Sequence, residues 1–167
     1  MAIDELIGRI RTAATDLAAR QPAIEAGEPW PLAAQFGVEP EALWGPRETL
    51  SHVAEMLSYW TGELERVLAG QPDRAVPFGR TASDPLRLGV IERDRTLPIR
   101  ELVSRITFGA ERLTTRLGEL APGDATRPGV HPSLGEMTVA GLLERFVAGH
   151  LEEHVAQLDS TLAPARR

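Results

Sequence analysis

The chain has 167 residues, 43% hydrophobic and 25% charged, ordinary values for a globular protein with enough material for a core. Its net charge is −6 and no basic run occurs, so the clustered Lys and Arg that displace counterions from a duplex are missing and nucleic acid is not an expected partner. Cysteine is absent, which removes disulfides and any protein thiol nucleophile and fits a reducing cytoplasm.

One domain spanning 1–167 is expected from the length. The first helix carries Ile3, Leu6, Ile7, Ile10, Ala14 and Leu17 on one stripe and ends before Pro22. Its opening, MAIDELIGRIR, holds acids where a signal peptide needs a basic start, and no apolar run approaches the roughly 18–20 residues of a membrane span. A cytoplasmic chain without membrane contact is therefore expected. The stretch from Gln21 to Trp44 follows, with Trp30, Phe36 and Trp44 either pinning it to the core or capping a site. The second helix opens at Gly45-Pro46-Arg47-Glu48, with proline suited to the first turn and an acid near the positive end of the dipole. Leu50, Val53, Leu57, Trp60, Leu64 and Leu68 form its stripe, and Gly70 stops it. A second long stretch, Gln71 to Leu97, contains Arg80 and Arg87, which read as surface arginines or as contacts for an acidic substrate. The third helix starts near Pro98 and carries Leu102, Val103, Ile106, Ala110, Leu113, Leu117 and Leu120. His131, between prolines and glycines in PGVHPSLGEM, is expected in an exposed loop. The fourth helix has Thr138 as its N-cap and Val139, Leu142, Leu143, Phe146, Val147, Leu151, Val155 and Leu158 inward. No segment alternates with period two, so the fold expected is all-α, a four-helix bundle.

Three of the four histidines read as a metal site. His150 and His154 lie four residues apart in GHLEEHVAQLD, which puts them on one helical face with Cβ atoms about 5–6 Å apart. His52 flanks the apolar arc of the second helix beside Met56, Tyr59 and Glu63. Three neutral imidazoles would hold one divalent ion and leave it an open position, the mark of a catalytic rather than a structural site. A buried histidine satisfied by hydrogen bonds is the bland alternative. His52 lies about two turns from the start of its helix and His154 about two turns from the end of its own. They meet only if those helices run antiparallel, whereas up-down-up-down order would offset them by roughly 9–15 Å. A crossover through Gln71 to Leu97 gives up-down-down-up order instead. Gln157, one turn beyond His154, is placed to hold a metal-bound water or substrate, or simply to line the rim. Glu152 and Glu153 are expected to point away into solvent. HLEEH also fits the inverted zincin pattern, with Glu153 as general base. Those enzymes take an acidic third ligand from well downstream, where only 13 residues follow His154, so a peptidase is not expected.

Taken together, these residues resemble the DinB/YfiT-like superfamily of metalloenzymes. Arg47-Glu48-Thr49-Leu50-Ser51-His52 is similar to its R-E-x-x-x-H segment, His150 and His154 to its H-x-x-x-H segment with Ala156-Gln157-Leu158 behind, and Gly135-Glu136-Met137-Thr138-Val139 to the lead-in of its last helix. The resemblance implies a four-helix bundle in up-down-down-up order with His52, His150 and His154 as metal ligands. It also implies kinship with S-transferases and isomerases that use mycothiol, bacillithiol or glutathione. The cofactors expected are one divalent ion, zinc or nickel by preference although imidazole also suits iron and copper, and a low-molecular-weight thiol as cosubstrate. An ion on neutral imidazoles keeps its full charge and can produce thiolate or hydroxide at neutral pH. The activity expected is thiol transfer to an electrophile or isomerisation through a thiol adduct. The alternatives are a metal-dependent hydrolase and a noncatalytic metal- or ligand-binding stress-response module. A small-molecule substrate and, in a homodimer, a second copy of the chain are the expected partners.

Overall fold

In the computed structural model, residues 2–34 and 41–163 are described. The chain is mostly helical. Helices α1 (Ile3–Ala19), α3 (Pro46–Leu68) and α5 (Ile99–Gly118), with a last helical run from Val139 to Leu162, carry the core. Their sequence stripes face one another: Leu6, Ile10 and Leu17 from α1, Leu50, Val53, Leu57 and Leu64 from α3, Leu102, Ile106 and Leu113 from α5, and Leu143, Val147, Leu151 and Leu158 from the last run are all fully buried. Each such side chain contributes about 1.5–3 kcal/mol by leaving water.

The helix ends follow local chemistry. Gly45, extended at φ −79° and ψ −179°, precedes Pro46 at the first turn of α3. The Thr138 hydroxyl accepts from the Gly141 N–H at 3.1 Å and caps the last run. Arg9 bonds Glu152 at 2.7 and 2.8 Å and Glu144 at 3.3 Å, and Arg20 reaches Asp159 at 2.7 Å, tying α1 to the last run. Helix α5 comes close to α3 at Gly109, where a Cβ would lie 3.2 Å from Leu57, and Arg116 bonds Glu65 at 2.6 Å one end further along.

Two features add to the expected bundle. The described parts of the long stretches contain α2 (Gln21–Ala26), a 3-10 turn at Glu41–Leu43, and α4 (Pro85–Asp94). Helix α4 is capped by Asp84, which accepts from the Arg87 N–H at 2.9 Å. Its buried residues are only Ile91 and Arg87, so its buried face includes a cation and has no apolar stripe to detect. The fold is also not purely helical. Strands β1 (Val76–Pro77), β2 (Pro128–His131) and β3 (Gly135–Thr138) form a small sheet, β1 parallel to β2 and β2 antiparallel to β3, with Val76 opposite Gly129 and Gly129 opposite Met137. Strands of two to four residues containing Pro and Gly are too short to display alternation. No helix among the described residues is long and apolar enough to cross a membrane.

Candidate metal centre

His52 projects from the second turn of α3, while His150 and His154 lie on consecutive turns of α7 (Gly149–Leu162). Between α6 (Val139–Leu143) and α7, residues Glu144–Ala148 form one π-helical turn, closed by the Gly149 N–H on Glu144 O. Such wide turns concentrate at functional sites. Here the turn ends two residues before His150, and a Cβ on the intervening Gly149 would crowd Glu144 O at 3.1 Å.

The three expected histidines converge. His150 Nε2 lies 3.0 Å from His52 Nε2 and 3.2 Å from His154 Nε2. A residue that no spacing rule singled out joins them: Glu41 Oε2 stands 3.4 Å from His150 Nε2, 3.7 Å from His154 Nε2 and 3.8 Å from His52 Nε2. Among the described residues these four side chains form the cluster able to hold a metal ion. Glu41 belongs to the 3-10 turn after the first long stretch, so only the fold brings it to the histidines.

Hydrogen bonds around the cluster set the tautomers of the two histidines on α7. Gln157 Nε2 donates to Glu41 O at 2.6 Å, which leaves Gln157 Oε1 to accept from His154 Nδ1 at 2.8 Å. His154 Nε2 is then a bare lone pair. Glu153 Oε2, 3.2 Å from His150 Nδ1, accepts in the same way and leaves the Nε2 lone pair of neutral His150 facing that of His154. Two lone pairs 3.2 Å apart beside a carboxylate repel unless a cation lies between them. The donor set therefore fits a divalent ion.

The electrostatics agree. Burial, reinforced by the Arg87 charge, holds His52 well below its usual value, and burial with the His150 charge brings His154 down to about 4. Both are neutral donors at pH 7. Burial also opposes a charge on His150, but Glu41 and Glu153 outweigh it and raise its pKa. Burial raises the Glu41 carboxyl, yet His150 and Arg87 together bring it below its ordinary value.

Other expected residues take different places. Gln157 acts on His154 and the Glu41 turn. Glu153, though mostly exposed, touches His150 rather than pointing away, and Glu152 pairs with Arg9. His131 is a correction. It is buried on β2 at 5% exposure, stacked on Phe146 with ring centroids 4.9 Å apart, and lies outside the cluster. Phe146, Phe78 and the backbone at Gly79 enclose its ring, which the flanking prolines and glycines do not reveal. Arg87 is also not a surface residue: it is buried, pairs with Glu41 and donates to Ala82 O at 2.9 Å. Arg80 bonds both oxygens of Glu55 at 2.6 Å and lies over the Tyr59 ring. Trp44 packs edge-on to His52 at 5.4 Å, Trp30 donates to Ile24 O at 2.8 Å, and Phe36 lies outside the described residues. Arg47 and Glu48 do not reach the histidines. Arg47 donates to Arg95 O and Leu97 O at 3.0 Å, and Glu48 accepts from the Ala33 N–H at 2.9 Å, so they fasten the long connections to α3.

The profile of the DinB superfamily matches residues 2–158. The chain belongs to the DinB superfamily. The match runs through all four members of the cluster. No curated protein matches this DinB-superfamily chain.

Proposed function

We propose that His52, His150 and His154 bind one divalent ion, zinc or nickel, and that the chain is a metal-dependent enzyme acting with a low-molecular-weight thiol as an S-transferase or isomerase. The convergence of three imidazole Nε2 atoms, two with lone pairs fixed inward, carries the proposal. A bound ion would supply Lewis acidity and lower the pKa of a thiol or water beside it.

The chain's own residues prepare the place. Burial keeps His52 and His154 neutral and ready to donate. Gln157 and Glu153 hold the two imidazoles of α7 from behind, the role that outer partners of metal-bound histidines usually fill. A cavity of about 160 Å³ opens beside His52, His150 and Glu41 and is walled by Trp60, Phe146 and Arg80. Trp60 and Phe146 stack at 4.4 Å and offer an apolar wall, which suits a small substrate placed next to the histidines. With no cysteine in the chain, the sulfur would come from the cosubstrate.

The helix order proposed is up-down-down-up. Arg9 with Glu144 and Glu152, then Arg20 with Asp159, advance in the same chain direction, which favours α1 parallel to the last run. Leu57 with Gly109 and Glu65 with Arg116 favour α3 parallel to α5. His52 with His150 and Trp60 with Phe146 run oppositely and favour α3 antiparallel to the last run.

The test is turnover. Metal-loaded protein should consume a small electrophile only with both ion and thiol present, and His52→Ala should abolish it. Equal loss of electrophile without thiol would sink the transferase reading and favour hydrolysis.

A further inference from the structure

We propose that Glu41 is the fourth donor of the site, held in place by Arg87, so that the resting centre is closed by a carboxylate rather than open to solvent. The inference rests on the three-histidine reading above and adds to it the identity of the group in the remaining position.

The geometry points there. An ion bound tetrahedrally at about 2.0–2.1 Å has its donor atoms about 3.3–3.4 Å apart. Five edges of the Glu41, His52, His150 and His154 cluster measure 3.0, 3.2, 3.4, 3.7 and 3.8 Å. Glu41 Oε2 thus stands near the fourth vertex, its three distances to the histidine nitrogens lying between 3.4 and 3.8 Å. The other oxygen, Oε1, is taken by the buried Arg87 guanidinium, which is itself fixed to Ala82 O at 2.9 Å. The backbone is held too: Gln157 donates to Glu41 O at 2.6 Å and to Trp44 O at 3.4 Å. One side chain therefore orients His154 and anchors the turn that delivers Glu41. Arg87 is a positioning residue, sharing the carboxylate's charge while leaving Oε2 free to face the histidines. An exogenous thiol or anion must compete with Glu41 for its place.

Cobalt(II) and azide test this without turnover. The wild-type protein loaded with cobalt(II) should keep its visible spectrum on addition of azide. In Glu41→Ala, azide should shift the spectrum at a concentration at least tenfold lower. Cobalt(II) affinity, read by competition with a chromophoric chelator, should fall about 10–100-fold, the scale on which even outer partners act. Glu41→Ala leaves the Arg87 cation unpaired, so the double variant Glu41→Ala/Arg87→Met separates loss of a donor from added repulsion. It should show the same azide response and weakened affinity. Arg87→Met alone should weaken affinity less than Glu41→Ala does, with Arg87→Lys restoring part of it. Equal azide sensitivity and affinity in wild type and both Glu41 variants would overturn the proposal while leaving the three-histidine site intact. A wild type that binds no cobalt(II) would overturn both.

Discussion

Gln157 shows how one side chain can set the chemistry of another. Its amide N–H groups are committed to the carbonyls of Glu41 and Trp44, so its oxygen must accept from His154 Nδ1, and the Nε2 lone pair turns inward. Gln157→Leu keeps the size but loses both effects. Metal affinity should fall about 10–100-fold with helical circular dichroism unchanged. An affinity within twofold of wild type would show that Gln157 is only a rim residue. His131 gives a second test at this scale, through pH. Burial lowers its folded pKa from 6.5, so below pH 6.5 the unfolded chain binds more protons and folded stability drops as pH falls, the loss being complete below the folded value. His131→Phe removes that contribution, while the buried His52 and His154 act equally in both proteins and cancel in the comparison. Urea unfolding at about pH 7.5 and about pH 5.5 should therefore show a smaller loss on acidification in the variant than in wild type. An equal loss in both would mean that His131 titrates as it does in the unfolded chain.

At the scale of elements, the sequence announces long amphipathic helices and conceals what decorates them. The stripes, the Gly45-Pro46 start of α3 and the Thr138 cap are legible because they depend on spacing and local chemistry alone. So was the histidine triad, whose members sit on those helices. Helix α4 was hidden because an arginine takes up part of its buried face, and Glu41 because its route to the histidines depends on the fold of a loop. The sheet was hidden by brevity, yet it makes a firm demand. Gly79, just after β1, has φ +85°, and a Cβ there would lie 2.4 Å from the His131 ring. Gly79→Ala should destabilise the fold by about 2–4 kcal/mol, combining left-handed strain with overpacking. Equilibrium denaturation measures it, and a change below about 0.5 kcal/mol would show that β1 and His131 part easily.

The whole molecule decides whether the ion serves the fold or the fold serves the ion. Four helical elements bury an extensive apolar core that includes no member of the cluster, so the apo protein has a hydrophobic reason to fold. A zinc finger has no such core and unfolds when its metal leaves. An ion held by the three histidines would bind only the folded state, because they meet through tertiary contact between α3 and α7. Saturation at about 100 times Kd would then add about 2.7 kcal/mol, which for a chain of this length should raise Tm by about 5–10 °C. Chelation should lower Tm by that amount while leaving helical circular dichroism at 25 °C intact. His154→Ala should make Tm indifferent to added metal. Collapse of the helical signal on chelation would make the centre structural, and a wild-type Tm unmoved by metal would remove the centre altogether. The expected pairing of an intact apo fold with a metal-dependent Tm is the behaviour of a scaffold that positions a reactive ion without depending on it.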